Sequence, residues 1–291
     1  MEAIEIVIEP GSGLGRIARQ LESASVIDSA RLFRLHTQIS GFSSQLKAGE
    51  YHFMAGISSD DVLTKLVSND VLVRFITVPE GLTSSQLIEL ISAAEGLEGD
   101  ITQPFPEGTL LPETYGFSRG ETRDALIARM AEQMKLTVQD LWLSRADDLP
   151  LQTPLEAVIL ASIIEKETAL PSERSRVAAV FINRLNRGMR LQSDPTVAFG
   201  ASAQGYLGRP LRRSDLESET PFNTYKILGL PPGPICHPGR DALVAALNPA
   251  SSDELYFVAE GSGGHVFAKT LAEHNRNVAK WRRIQKQQGS R

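Results

Sequence analysis

The 291-residue chain contains one cysteine, Cys236. A single thiol rules out an internal disulfide and any multi-cysteine metal site. The five histidines lack metal-ligand spacing, which argues against zinc, and nothing in the pattern asks for a cofactor. No apolar run reaches the ~18 residues of a membrane span. No signal peptide is visible. Basic residues are not in excess: 30 Lys and Arg against 35 Asp and Glu leave a net charge of −5, which gives no footprint for nucleic acid. What remains is an ordinary globular composition, 42% hydrophobic and 22% charged, long enough for one large domain or two modest ones.

Ile4–Glu9 alternates like a strand, Pro10–Gly15 turns, and Gly15–Ser23 reads as a helix with Ile17, Ala18 and Leu21 inward. A phosphate loop is a poor account of Gly11–Gly15, because Arg16 stands where the dinucleotide fingerprint needs glycine. The same strand–turn–helix order returns at Val73–Val78, Pro79–Gly81 and Thr83–Ala94, so that Ile8, Gly11, Ile17 and Leu21 match Val78, Gly81, Leu87 and Ile91. Between the copies, Ser29–Ile39 and Ser58–Leu66 are expected helices and Gly49–Phe53 a short strand. Further on, Thr102–Pro112 is a Pro/Gly-rich connection. Thr122–Met134 and Thr137–Arg145 read as two helices, and Glu173–Arg187 as a third, capped by Ser172 and stopped by Gly188. Gly229–Pro234 is neither helix nor central strand, and fixed extended loops of this kind often shape a groove. A helix at Asp241–Leu247, a hairpin of Leu255–Ala259 with His265–Lys269, and a helix at Thr270–Gln287 close the chain. The expected class is α+β.

The most informative stretch is Ala161–Thr168, where two carboxylates interrupt an apolar helix that starts at Pro154. A helix apolar on all sides is a buried one. At about 100° per residue, Glu165 and Glu167 point some 160° apart. Glu167 then shares a side with Glu156, a plausible solvated edge. Glu165 falls among Val158, Ala161 and Ala169, small neighbours that leave space before the carboxyl and disfavour its ionised form. Such a Glu is a proton donor near neutral pH. A core carboxylate answering an Arg elsewhere fits the spacing equally well.

That run, with Val180–Leu185, Gly188–Val197, Phe222–Tyr225, Gly229–Ile235, Ala245–Pro249, Leu255–Val258 and Gly263–Phe267, resembles the YceG/MltG family of endolytic murein transglycosylases. The resemblance is dense from about Leu110 to Trp281. It implies a lyase that cuts the MurNAc–GlcNAc bond within nascent peptidoglycan strands and leaves anhydromuramyl ends, with Glu165 as acid and then base. The alternative is a non-catalytic peptidoglycan-binding scaffold of the wall-building machinery. Phe222–Tyr225 resembles the loop that faces the catalytic Glu in lytic transglycosylases, which makes Asn223 and Tyr225 expected substrate contacts; loop and hairpin positions add Gln192, Asp194, Glu113 and His265, the last equally read as a hairpin-tip hydrogen bond. Asn223 reads equally as a turn former and Asp194 as the residue that orders the turn before Pro195. Phe222 stands where the family usually has Tyr. The expected organisation is a LysM-like glycan-binding module at 1–74, for which a small scaffolding α+β domain is nearly as good a reading, and a catalytic domain at 75–291, its first part (75–150) connecting and its core at 151–291. Resemblance also implies an N-terminal membrane helix, absent from this chain, that would hold the domain outside the cytoplasmic membrane. It further implies peptidoglycan synthases as partners. On that basis the chain is expected to be a soluble ectodomain.

Overall fold

A computed structural model describes residues 3–202, 204–261 and 263–288. Among them the strands pair only in twos. β1 (Ile4–Ile8) joins β2 (Gly49–Phe53), β3 (Val73–Thr77) joins β4 (Thr114–Ser118), and β5 (Tyr256–Ala259) joins β6 (His265–Ala268). Helices make up most of the regular structure beside these strand pairs, so the class is α+β. The chain divides into two compact units. One comprises Met1–Ile76, Ala93–Asp100 and Thr114–Leu126, and the other comprises Thr77–Ser92, Ile101–Glu113 and Ile127–Arg291.

In the first unit, β1 and β2 run antiparallel from Ile4 opposite Phe53 to Ile8 opposite Gly49. Period-two alternation buries Ile6 and Ile8, while helical spacing on α1 (Leu14–Ser23) buries Ile17, Ala18 and Leu21 against them. Phe33 of α2 (Ala30–Ile39) and Val62, Leu63 and Leu66 of α3 (Ser59–Ser68) complete this core. Each of these two helices begins at a serine whose hydroxyl accepts a backbone N–H, Ser29 from Leu32 and Ser58 from Asp61. Arg74 on β3 grips the buried Glu50 with two hydrogen bonds of 2.8 and 2.9 Å.

The internal repeat read from the sequence is also a repeat of conformation. Ile8 and Val78, Ile17 and Leu87, and Leu21 and Ile91 are all buried. Gly11 and Gly81 sit at φ of +76° and +78°, a left-handed turn that favours glycine.

The second unit is built around α6 (Pro154–Glu167), with α7 (Pro171–Asn186) and α10 (Arg240–Leu247) packed against it. Every residue from Ala157 to Ile164 is buried. Thr153 caps α6 by accepting the Glu156 N–H, and Pro154 occupies the first turn, where its missing N–H costs nothing. Cys236 lies beneath this helix, its thiol against the Ser162 carbonyl at 3.3 Å.

Three local expectations change. The two helices expected between residues 122 and 145 are one, α5 (Arg123–Leu143): Lys135 and Leu136 offer no breaker, and Met130, Met134, Val138 and Leu141 form one buried stripe. Helix α7 starts at Pro171 instead of after Ser172, since proline is pre-set for a first turn. The segment before and after Pro195 is helical, α8 (Asp194–Gly200), for the same reason. Among the described residues no helix is long and apolar enough to cross a membrane.

The Arg74–Glu50 pair gives a test of the first unit. The guanidinium holds the Glu50 carboxyl below its usual range, so its stabilisation is present above pH ~4.5 and lost as pH falls. Arg74→Met leaves a buried acceptor unpaired, and urea unfolding at pH 7 is expected to show a loss of about 1–3 kcal/mol, discounted because Arg74 is partly exposed. The loss should shrink in acid. Equal stability at pH 7 would mean the pair contributes nothing.

Candidate active site

The two carboxylates near the end of α6 occupy different surroundings. Glu165 is enclosed, its side chain 6% exposed. One oxygen accepts the Gly239 N–H at 2.9 Å and the other lies 3.4 Å from Arg174, which also binds Glu80 at 3.0 Å and Asp241 at 3.1 Å. Burial pushes the Glu165 carboxyl up and the Gly239 N–H opposes it; Glu80 and Asp241 raise it further while Arg174 lowers it. The open space expected in front of Glu165 is not there. An Arg answers it.

Glu167, the last residue of α6, lines an open cavity of about 470 Å³. Gln192, Asp194, Arg184, Tyr225, Phe257 and His274 share that wall. The Ser193 hydroxyl donates to the Glu167 carboxylate. Burial drives this carboxyl up from 4.5 to about 7; Ser193 opposes the shift, Asp194 adds to it, and the charges of His265 and Arg184 pull it back. The solvated edge expected for Glu167 is thus a correction. Sharing a helix side with Glu156 says little when eleven residues place the two about 16 Å apart along the axis. Glu156 is half-buried at one end, while the Ser193 segment and α11 (Leu271–Gln288) border Glu167 at the other.

The structure brings Gln192, Asp194 and Tyr225 to the Glu167 cavity. Gln192 holds a left-handed φ of +50°, uncommon outside glycine, between hydrogen bonds from its own N–H and that of Ser193 to Thr224. The Tyr225 hydroxyl donates to Asp194 at 2.7 Å. His265 stands one layer behind, edge-on to Phe257 and bonded to Glu173 at 2.7 Å. Asn223 does not reach the cavity. It is fully buried, its amide donates to the carbonyls of Leu216 and Ser218, and its oxygen accepts the Tyr225 N–H. That is the turn-forming role. Glu113 is exposed and is not among the residues that line the cavity. Phe222 packs on Phe199, with ring centroids 4.8 Å apart.

Sequence reading offers Arg184, with Arg187 and Arg190, as either a contact for anionic glycan substituents or part of a solvated helix face, and the structure buries it; His274 it misses. Arg184 lies one turn beyond Val180 and Phe181, on the buried face of α7, and that placement was the available signal. His274 stacks on Tyr256 at 5.1 Å and keeps a buried Nδ1 without a partner among the described residues.

Comparison with known proteins agrees with this architecture. Residues 6–280 match the YceG-like family. This chain belongs to that family. It is 32% identical to an endolytic murein transglycosylase of Bacillus subtilis, covering 96% of this chain and 84% of that protein. A second protein of that name, from Streptococcus pneumoniae, is 30% identical over 95% of this chain but only 58% of its own length. The crystal structure of a YceG-like protein from Listeria monocytogenes superposes with a TM-score of 0.57 at 30% identity, covering 94% of this chain and 99% of that one.

In this YceG-like chain Glu167 is a stability sensor. Its folded-state pKa lies above its unfolded one, so the folded state is favoured while both are protonated and is progressively penalised between pH 4.5 and about 7. Glu167→Gln removes the penalty. Thermal or urea unfolding should show the variant more stable than wild type at pH 8, by on the order of 1–3 kcal/mol, with no advantage at pH 4. A constant difference across pH would refute the raised pKa.

Proposed function

We propose that this chain is an endolytic murein transglycosylase in which Glu167, rather than Glu165, carries the proton. The observation behind this reading is a carboxyl pushed to about 7 at the wall of an open polar cavity. The names of the two relatives supply the reaction. In the first step Glu167 gives its proton to the glycosidic oxygen as the bond to the muramyl anomeric carbon breaks. In the second, the sugar's own C6 hydroxyl closes on that carbon and Glu167 takes the hydroxyl proton. One carboxyl ends as it began, and no water is consumed. Most glycosidases need a second carboxylate. Here Asp194 is the other acid that lines the cavity, and it already accepts from Tyr225.

Digestion of purified murein strands, read by mass spectrometry, tests this. Wild type should leave anhydro ends, lighter than reducing ends by one water, with a rate that falls on the alkaline side through about pH 7. Glu167→Gln should lose ~10²–10⁴ in rate while still folding. Glu165→Gln should lose stability yet retain cleavage wherever it is folded. A folded but inactive Glu165→Gln beside an active Glu167→Gln would return the acid role to Glu165. Reducing ends would mean a hydrolase, and binding without cleavage the scaffold.

We further propose that the N-terminal unit grips glycan. An open groove of about 790 Å³ between β1 and α1 is lined by Glu5, Glu9, Arg16, Arg19 and Gln20, donors and acceptors suited to sugar hydroxyls and amides. A tethered second site raises effective concentration for long strands only. Arg16→Ala with Arg19→Ala is therefore expected to weaken pull-down of long murein strands several-fold and to spare cleavage of short fragments. Unchanged binding of long strands would remove this role.

A further inference from the structure

Arg184 is a buried cation without an anion. Its side chain is 7% exposed; Nε donates to the Leu255 carbonyl at 2.7 Å and Nη1 to the Leu191 carbonyl. Neither acceptor carries charge, and among the described residues no carboxylate forms an ion pair with it. Nη2 has no protein partner there either, although the residue lines the same cavity as Glu167. The guanidinium also lies over the Tyr256 ring, 5.4 Å from its centroid. Burying a charge unpaired is costly, so a fold that fixes one with two carbonyls and an aromatic face has a use for it.

The other charged and titratable groups around Glu167 do not supply a free positive charge. Asp194 is an acid engaged by Tyr225, and the hydroxyl of Tyr225 is pushed up by burial, so that ring is neutral. His265 is bonded to Glu173, whose carboxylate would offset any charge it gains. Across the cavity Tyr256 is a phenol, and burial pushes His274 down toward its neutral form. Arg184 alone is permanently charged and uncompensated at this site.

We propose that Arg184 is the positioning residue for the acid, a fixed positive charge that compensates the carboxylate left on Glu167 when its proton departs. This rests on Glu167 being the proton donor. Before the step Glu167 is neutral and Arg184 has no counter-ion; after it, the carboxylate on Glu167 shares the cavity wall with that fixed positive charge. The charge that appears during the reaction thus meets a positive field that two carbonyl hydrogen bonds already hold in place. Arg184 thereby makes Glu167 a stronger acid than burial alone allows.

The test compares Arg184→Gln, which keeps amide donors for the two carbonyls but no charge, with Arg184→Lys, which keeps the charge. Carboxyl-labelled Glu in the full chain, with the Glu167 resonance identified by its loss in Glu167→Gln, gives the titration midpoint directly by NMR. Arg184→Gln should move that midpoint up by about one pH unit, a factor of ten in the protonated-to-ionised ratio, and Arg184→Lys by less than about 0.3. On murein strands Arg184→Gln should lower kcat about tenfold or more, leave KM within about twofold, and carry the alkaline limb of the rate upward with the midpoint. An unmoved midpoint overturns the proposal, and so does a raised KM at an unmoved midpoint, which would make Arg184 a substrate-anion site. If Arg184→Gln does not fold, a midpoint raised by a full unit in Arg184→Lys overturns it as well. Should wild type cleave no murein, the transglycosylase reading fails while the NMR comparison still decides the pairing.

Discussion

One guanidinium ties together the elements that meet at the end of α6 in the second unit. Arg174, on α7, binds Glu80 in the turn after β3, Glu165 on α6 and Asp241 at the start of α10. Three carboxylates on one cation leave surplus negative charge, and the Gly239 N–H supplies a further donor to Glu165. The fit is tight: a side chain at Gly239 would place its first carbon 1.7 Å from a Glu80 oxygen. Arg174 and Glu165 are its enclosed members while Glu80 and Asp241 reach solvent, so removing Arg174 strands the Glu165 carboxylate, which is costlier than never having built the pair. Because the cluster grips α6 two residues before its end, it fixes where Glu167 emerges.

The two carboxylates of that helix show how environment assigns roles to chemically identical groups. Burial raises both. Around Glu165 the surrounding groups are protein already paired with one another: Arg174, Glu80, Asp241 and the Gly239 N–H. Around Glu167 one side is a cavity, and the groups that modulate it (Ser193, Asp194, Arg184) sit on loop and helix ends that face the same space. A raised pKa alone would not separate the two. Access does.

Much of this was legible in the sequence and some was not, for physical reasons. Period-two and period-3.6 patterns located β1, α1, the repeat and the buried α6, because burial is written in local composition. The C-terminal hairpin followed from its glycines. The surroundings of the two α6 carboxylates did not, because helical phase gives direction but not what lies opposite. Glu167 meets segments far along the chain, Ser193 and α11, and Glu165 meets Arg174 and Gly239. Asn223 was ambiguous for the same reason: an amide serves a turn or a ligand equally well until its partners are known. Gln192 shows no outward sign of its left-handed backbone.

The burial of Cys236 carries a practical consequence. Its sulfur is inaccessible and lies against a carbonyl, and burial lifts the thiol well above its usual range, so the reactive thiolate is scarce. The native chain is therefore silent toward maleimides and iodoacetamides while folded. A cysteine placed anywhere on the surface becomes the one labelled position without any need to delete Cys236, and attaching fluorophores or cross-linkers across the cavity requires no repacking of the helix that carries Glu165 and Glu167.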